Sequence, residues 1–242
     1  MTSLLSFPTG WLHAQSVHVI EQVRLTSTVG TVNSKGADGQ IQTLVAPVPS
    51  GKPQSADKAG QGATISTGEF SSAVISIPSA GSVKLNQNTE VRLPPAGDKS
   101  HSLELLKGQL FFDINAEDLK KRGDTSFRLK TPAALLAVKG TKFFAASGVE
   151  GKGVLGVHSG SVGVFHPSTR QVLTLKNGQA VSVDLNQMGG VRTLTREEAA
   201  ASLQYAVVDA KTGFTNSLGM KFVPVPGTRV LMCVHEVRML DW

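Results

Sequence analysis

Residues 136–145 read LAVKGTKFFA: an apolar run, a Lys-Gly-Thr-Lys interruption, and a second apolar run with two adjacent aromatics. The interruption could be a phosphate-gripping loop, a catalytic turn or the corner between two strands. The first reading fails on spacing, because a phosphate loop needs G-x-x-x-x-G-K ahead of a helix and KGTK offers neither. Choosing between the other two depends on what surrounds it.

Outward from this stretch the dominant signal is period-two alternation, the mark of a strand that shows every second residue to a core. SAVISI, SVKLN, TEVRL, LELLKGQLFFDI, SFRLKT, KFFAAS, GVLGVHSGSVGVF and QVLTLKNGQAVSVDL each alternate or run apolar for several residues. Turn signals such as ADG, GDK, RGDT, HPST and KNGQ separate them. Asn177-Gly178 between VLTLK and QAVSV predicts a hairpin, since both central positions of such a turn favour positive φ. A Gly-x-Val/Leu element recurs at Gly30, Gly81, Gly108 and Gly160 with irregular spacing, so the sequence predicts stacked short strands rather than a solenoid. The predicted fold is all-β, a roll or sandwich of short strands.

Two segments depart from alternation. Residues 47–63, PVPSGKPQSADKAGQGA, hold little to bury and predict a mobile loop. TREEAAASLQ carries a capping box, with Thr195 as cap and Glu198 three residues on, and predicts one short helix near 195–204. The corresponding organisation is an N-terminal segment 1–20, a β domain 21–190, a helical linker 191–211 and a tail 212–242.

Composition narrows the function classes. With 242 residues, 40% hydrophobic and 17% charged, the chain can bury a core without staples. Cys233 stands alone, so it has no disulfide partner within the chain and no companions for a zinc site. The net charge of +6 is spread thinly and favours anionic partners, an envelope polymer among them. Tyr205, Trp11 and Trp242 lie far apart, which argues against a base-stacking nucleic-acid surface. No apolar run reaches the roughly 18 residues that would span a bilayer as a helix. The opening MTSLLSFPTGWLHAQS lacks a positive n-region, yet LHA before Gln15 resembles the end of an export signal, so a periplasmic or extracellular location is the expectation.

Motifs that could carry chemistry are weak. Gly151, Gly153 and Gly156 in GKGVLG match G-x-G-x-x-G, but the continuation reads as a strand where a dinucleotide site needs a helix. Ser55 and Lys58 spell S-x-x-K inside the loop, without the rigid support a nucleophile requires. His158 and His166 flank one strand and are read as rim residues, and Asp113, Glu117 and Asp118 as a solvated turn. The residues therefore predict no catalytic group, no cofactor and no metal.

In order along the chain stand STVGTV with ADGQIQTL, GATISTGEFSSAVISI, GSVKLNQNTEVRL, LELLKGQLFFDI, SFRLKTPAALLAVKGTKFFA and VLGVHSGSVGVF. From about Val23 to Val183 this series resembles the FecR domain. The resemblance implies a non-catalytic envelope module for binding or sensing, in signal transduction or scaffolding, with a protein or an anionic envelope polymer as partner. It implies motif positions at Thr67, Gly68, Thr89, Gly108, Gly140, Thr141, Phe143, Gly160 and Val162. VKGTKFF becomes a strand-corner-strand element, with Gly140 at the bend and Val138, Phe143 and Phe144 in the core. An alternative implied by the same family is a fragment of a membrane-bound sigma-factor regulator, although the helical segment and span that precede the domain in such proteins are not seen here.

Residues 212–242, with NSLGMKFVPVPG and HEVR, resemble the start of the sulfatase-modifying-factor, formylglycine-generating family. That resemblance implies an accessory role beside a catalytic region lying further on. The same residues read directly as strands KFVPV and RVLMCV around Pro226-Gly227.

Overall fold

The structure, a computed structural model, describes residues 20–44, 58–98, 102–121, 123 and 126–199, together with the backbone of three short strands between 214 and 233. The chain forms two compact units, Met1–Leu194 and Thr195–Trp242.

The first unit is all-β. Sheet I runs in the order β4 (Lys58–Gly60), β1 (Gln22–Val29), β6 (Ser72–Ile77), β7 (Gly81–Leu85), the second half of β9 (Leu103–Ile114), β12 (Lys142–Ser147), β13 (Gly153–Ser159), β16 (Gln179–Val183) and β17 (Arg192–Thr193). Sheet II runs β3 (Ile41–Thr43), β2 (Val32–Lys35), β5 (Thr64–Thr67), β8 (Glu90–Arg92), the first half of β9, β10 (Phe127–Lys130), β11 (Leu135–Val138), β14 (Ser161–Phe165) and β15 (Val172–Lys176). Neighbours pair antiparallel except β9 and β10, which are parallel.

The chain passes between the sheets again and again, and alternation along each strand directs one set of side chains inward. Leu25, Ile75 and Phe112 from sheet I share one core cluster with Ile65, Leu105 and Val138 from sheet II, all at most 1% exposed. At the centre Phe143 stacks on Phe112 with ring centroids 4.4 Å apart, and Phe127 packs on Phe112 at 5.8 Å. The alternation that places Phe112 and Phe143 inside puts Phe111 and Phe144 on the outer face of sheet I. Phe144 is buried, at 4% exposure, yet outside the central cluster, with its ring against Gly156. Of the three expected core residues, Val138 and Phe143 are central and Phe144 belongs to the other face.

Several expectations change. Asn177-Gly178 does not close a hairpin: β15 pairs with β14 in sheet II and β16 with β13 in sheet I, so the turn is a corner, tied by Gly178 N–H donating to Val157 O at 2.8 Å. The predicted loop is cut short at its end, because Lys58–Gly60 forms β4 on the edge of β1 and Ala59 and Ala63 are buried. Residues 47–57, Ser55 among them, lie outside the described residues, as does the N-terminal segment up to residue 19. The acidic turn is a short helix, α1 (Ala116–Lys121), with Asn115 Oδ1 accepting from the Glu117 and Asp118 amides at 2.9 and 3.3 Å. Its carboxylates bind lysines one turn on, Glu117 to Lys120 and Asp118 to Lys121. His166 is no rim residue: it is fully buried, Nδ1 accepting from Thr169 N and Nε2 donating to Asp184 O at 2.7 Å. After Gly153 the chain is strand β13, as the context of GKGVLG indicated.

In the second unit Thr195 and Glu198 close the predicted capping box, each side chain accepting from the other's amide at 3.1 Å. β18 (Phe214–Thr215), β19 (Lys221–Pro224) and β20 (Leu231–Cys233) form an antiparallel sheet with β19 in the middle, where KFVPV and RVLMCV were read as strands.

Candidate functional site

The motif residues gather at the two ends of the sheet I portion of β9. At the Gly108 end four chain segments meet: Gly30-Thr31, Gly68–Ser71, Asn86–Thr89 and the bend of β9 itself. Gly108 has φ +93°, and a Cβ there would lie 2.5 Å from Thr89 Cα. Only glycine lets β9 bend from one sheet into the other this close to a neighbouring backbone. Thr89, fully buried, accepts from Gln109 N at 3.0 Å and has Gln109 O at 3.2 Å as acceptor. Thr67, also buried, accepts from Thr89 N at 3.0 Å and donates to Asn86 O. Ser71 accepts from Thr31 N and donates to Glu69 O, both at 2.9 Å, and Gly68 N donates to Thr31 O at 3.0 Å. These hydroxyls satisfy backbone groups that the corners remove from the ladders. They hold the fold's corners and are spent in doing so.

At the Ile114 end, Thr141 N and O exchange hydrogen bonds with Ile114, and Thr141 Oγ1 donates to Ser161 O at 2.9 Å. Gly140 (φ +73°) passes directly over Ala116, and Gly160 (φ +88°) over Gly140 O. Phe143 and Val162, one strand residue beyond each corner, enter the core at 1% exposure. KGTK is thus the corner from sheet II into sheet I. A shallow depression of about 250 Å³ opens here, lined by Asp113, Asn115, Lys142 and Ser159 among others. Its charges are paired, Lys142 Nζ to Asp113 Oδ2 at 3.1 Å, and Asn115 is occupied as the helix cap. Among the described residues no group of three or more His, Cys, Asp or Glu is placed to hold a metal.

Two large apolar side chains face solvent at the Gly108 end, among the exposed polar residues Thr31, Gln87 and Asn88. Phe70 is 82% exposed with φ +51°, its amide held by Gln87 Oε1 at 3.0 Å; Val29, paired in register with Ser72, is 59% exposed. Glu69 beside it is exposed. A phenylalanine in left-handed backbone costs roughly 1–2 kcal/mol and gains nothing from burial, so the core does not account for it. Sequence reading placed Phe70 inside a motif without marking it as the exposed member. The one available signal was its place between Thr67-Gly68 and Ser71, in the turn joining two strands.

Residues 63–163 match the family model described as FecR protein. This stretch is similar to the FecR domain. It begins at β5 and ends within β14, and it contains every one of the nine motif positions. β1 to β4 and β15 to β17 lie outside the FecR match yet complete both of its sheets. Two crystal structures of a candidate anti-sigma factor from Parabacteroides distasonis ATCC 8503 are similar, at 22% and 23% identity and TM-score 0.47, covering 58% of this chain and 64% of theirs. The chain spans less than two thirds of the length of those proteins. No curated protein matches. The sulfatase-modifying-factor resemblance of residues 212–242 finds no support: the family match lies wholly within the first unit.

Proposed function

We propose that the chain is a non-catalytic binding or sensing module of FecR type, acting in signal transduction that regulates a sigma factor, and residing in the periplasm or outside the cell. The FecR match over residues 63–163 carries this reading. The chemistry at the corners agrees with it, since the Ser and Thr hydroxyls gathered there hydrogen-bond to backbone rather than to an acid–base partner. The partner is a protein, and the exposed Phe70, with Glu69 flanking it and the exposed Val29 on the strand paired to Ser72, is the contact it meets; aromatic side chains held at a surface are the usual anchors of protein interfaces.

Replacing the native gene with the Phe70→Ser variant tests this. A regulator loses its output, so transcripts governed by one sigma factor shift as they do in a deletion strain, while the purified variant melts with the native protein. Unchanged transcripts in the deletion strain would remove the regulatory reading; a deletion effect that Phe70→Ser does not reproduce would remove Phe70 as the contact.

A further inference from the structure

The outer face of sheet II carries a row of charge that the corner chemistry does not use. Register places Lys35 opposite Thr64, Thr64 opposite Arg92, Arg92 opposite Glu104, and Glu104 opposite Lys130, so the five side chains project from one face in a line across five strands. Their neighbours Ser34, Ile65, Val91, Leu105 and Leu129 point into the core. The cations stand on every second strand, about 10 Å apart at two strand spacings each. Lys35 is exposed, and the Arg92 and Lys130 side chains are about half exposed, at 48% and 49%. Glu104, at 24%, sits between the last two and binds both, at 3.3 and 2.8 Å.

Two further cations adjoin the row. Arg128 lies two residues from Lys130 on the same face, half-buried, and Lys107 pairs with Glu90 at 2.8 Å. Among the described residues of β2, β5, β8, β9 and β10 on this face, five cations stand against Glu90 and Glu104, a surplus of three positive charges. With the cations about 10 Å apart, a compact anion would reach one of them at a time. A chain with negative charges repeating near the cation spacing would reach three. An extended acidic peptide presents alternate carboxylates about 6.6 Å apart, out of step with this row. A linear sugar polymer with a carboxylate on every second ring repeats close to two strand spacings, and its hydroxyls suit Thr64 between the first two cations.

We propose that the Lys35–Arg92–Lys130 row binds a linear acidic polysaccharide running across the strands of sheet II, with Glu104 as an internal competitor for two of the three cations. This site is separate from the Phe70 tip and stands or falls independently of the signalling reading.

The test is titration calorimetry of the whole chain at low ionic strength with an unsulfated chondroitin oligosaccharide of about ten sugars, against neutral dextran and poly-L-glutamate. Chondroitin should bind and dextran should not. Lys35→Gln, Arg92→Gln and Lys130→Gln should each weaken binding about two- to fivefold, the worth of one exposed ion pair. Glu104→Gln should tighten it by a similar factor, an effect of opposite sign that general damage to the fold cannot produce. Lys120→Gln on α1 should change nothing. Absence of chondroitin binding, an equal loss in Lys120→Gln, or weaker binding by Glu104→Gln would each overturn the proposal. Tighter binding of poly-L-glutamate than of chondroitin would overturn it in favour of an acidic protein.

Discussion

Gly140 and Gly178 share a φ of +73° but not their surroundings, and that difference can be measured. Nothing lies within 4 Å of a Cβ built on Gly178, whereas one built on Gly140 meets Ala116 Cβ at 2.3 Å and Ala116 Cα and N at 2.8 Å. Gly178→Ala therefore has only the left-handed conformation to overcome, about 1–2 kcal/mol, offset by about 0.4–1 kcal/mol from the less flexible unfolded chain. Gly140→Ala carries the same two contributions and must also displace backbone at the start of α1. That shift loosens the Asn115 cap, worth about 0.5–2 kcal/mol, and the reciprocal Thr141–Ile114 hydrogen bonds, worth about 1 kcal/mol each. The expected excess of Gly140→Ala over Gly178→Ala is about 2–3 kcal/mol, which in a domain of this size is about 4–12 °C in Tm. Lys142→Gln, which breaks only the half-exposed pair with Asp113, should cost under about 1 kcal/mol. Adding Ala116→Gly to Gly140→Ala should restore less than half the excess, because the clash with Ala116 Cα and N remains. Urea unfolding with equal midpoints for Gly140→Ala and Gly178→Ala would refute the corner packing.

Thr89→Val keeps shape but strips the acceptor from Gln109 N–H, and should lower stability by about 1–3 kcal/mol in chemical denaturation; a loss under about 0.5 kcal/mol would mean that the amide finds another partner. Phe70→Asn should leave stability unchanged or raise it by up to about 1 kcal/mol, since asparagine tolerates the left-handed backbone and little buried area is lost; a marked fall in Tm would show Phe70 to be structural. Burial between Phe111 and Phe144 pushes the His158 imidazole below its usual 6.5, so the unfolded chain takes up a proton first as pH drops. Its contribution is fully present above about pH 6.5 and declines as pH falls through that value; Tm measured from pH 8 to 5 should fall less steeply in His158→Gln than in the native chain, and parallel profiles would exclude the histidine.

Strand identity was legible because alternation is local: each of SAVISI, SVKLN and KFFAAS carries its own inward and outward sets, and each became a strand. Sheet membership was not, since it depends on which strand lies alongside. Asn177-Gly178 has every local property of a hairpin turn, yet the amide that fixes it reaches Val157, about twenty residues back, and the flanking strands part into different sheets. His166 was misread for the same reason, because its partner is the carbonyl of Asp184, eighteen residues on. α1 escaped notice because six residues with Leu119 as the buried one leave no helical period to detect.

The same distinction separates the two kinds of candidate residue. Gly108, Thr89, Gly140 and Thr141 stand out in sequence because a corner admits few residue types there, so what the motif records is the geometry of a roll whose chain keeps changing sheets. A surface that binds a partner is under no such restriction. Lys35, Arg92 and Lys130 are scattered over some ninety-five residues of sequence and become a row only when β2, β5, β8, β9 and β10 align, and Phe70 is one phenylalanine among ten until the fold leaves it at the surface. In a fold assembled from distant strand pairings, the positions most visible in the sequence are those that build the scaffold. Those proposed to confer its use appear only once the register is known.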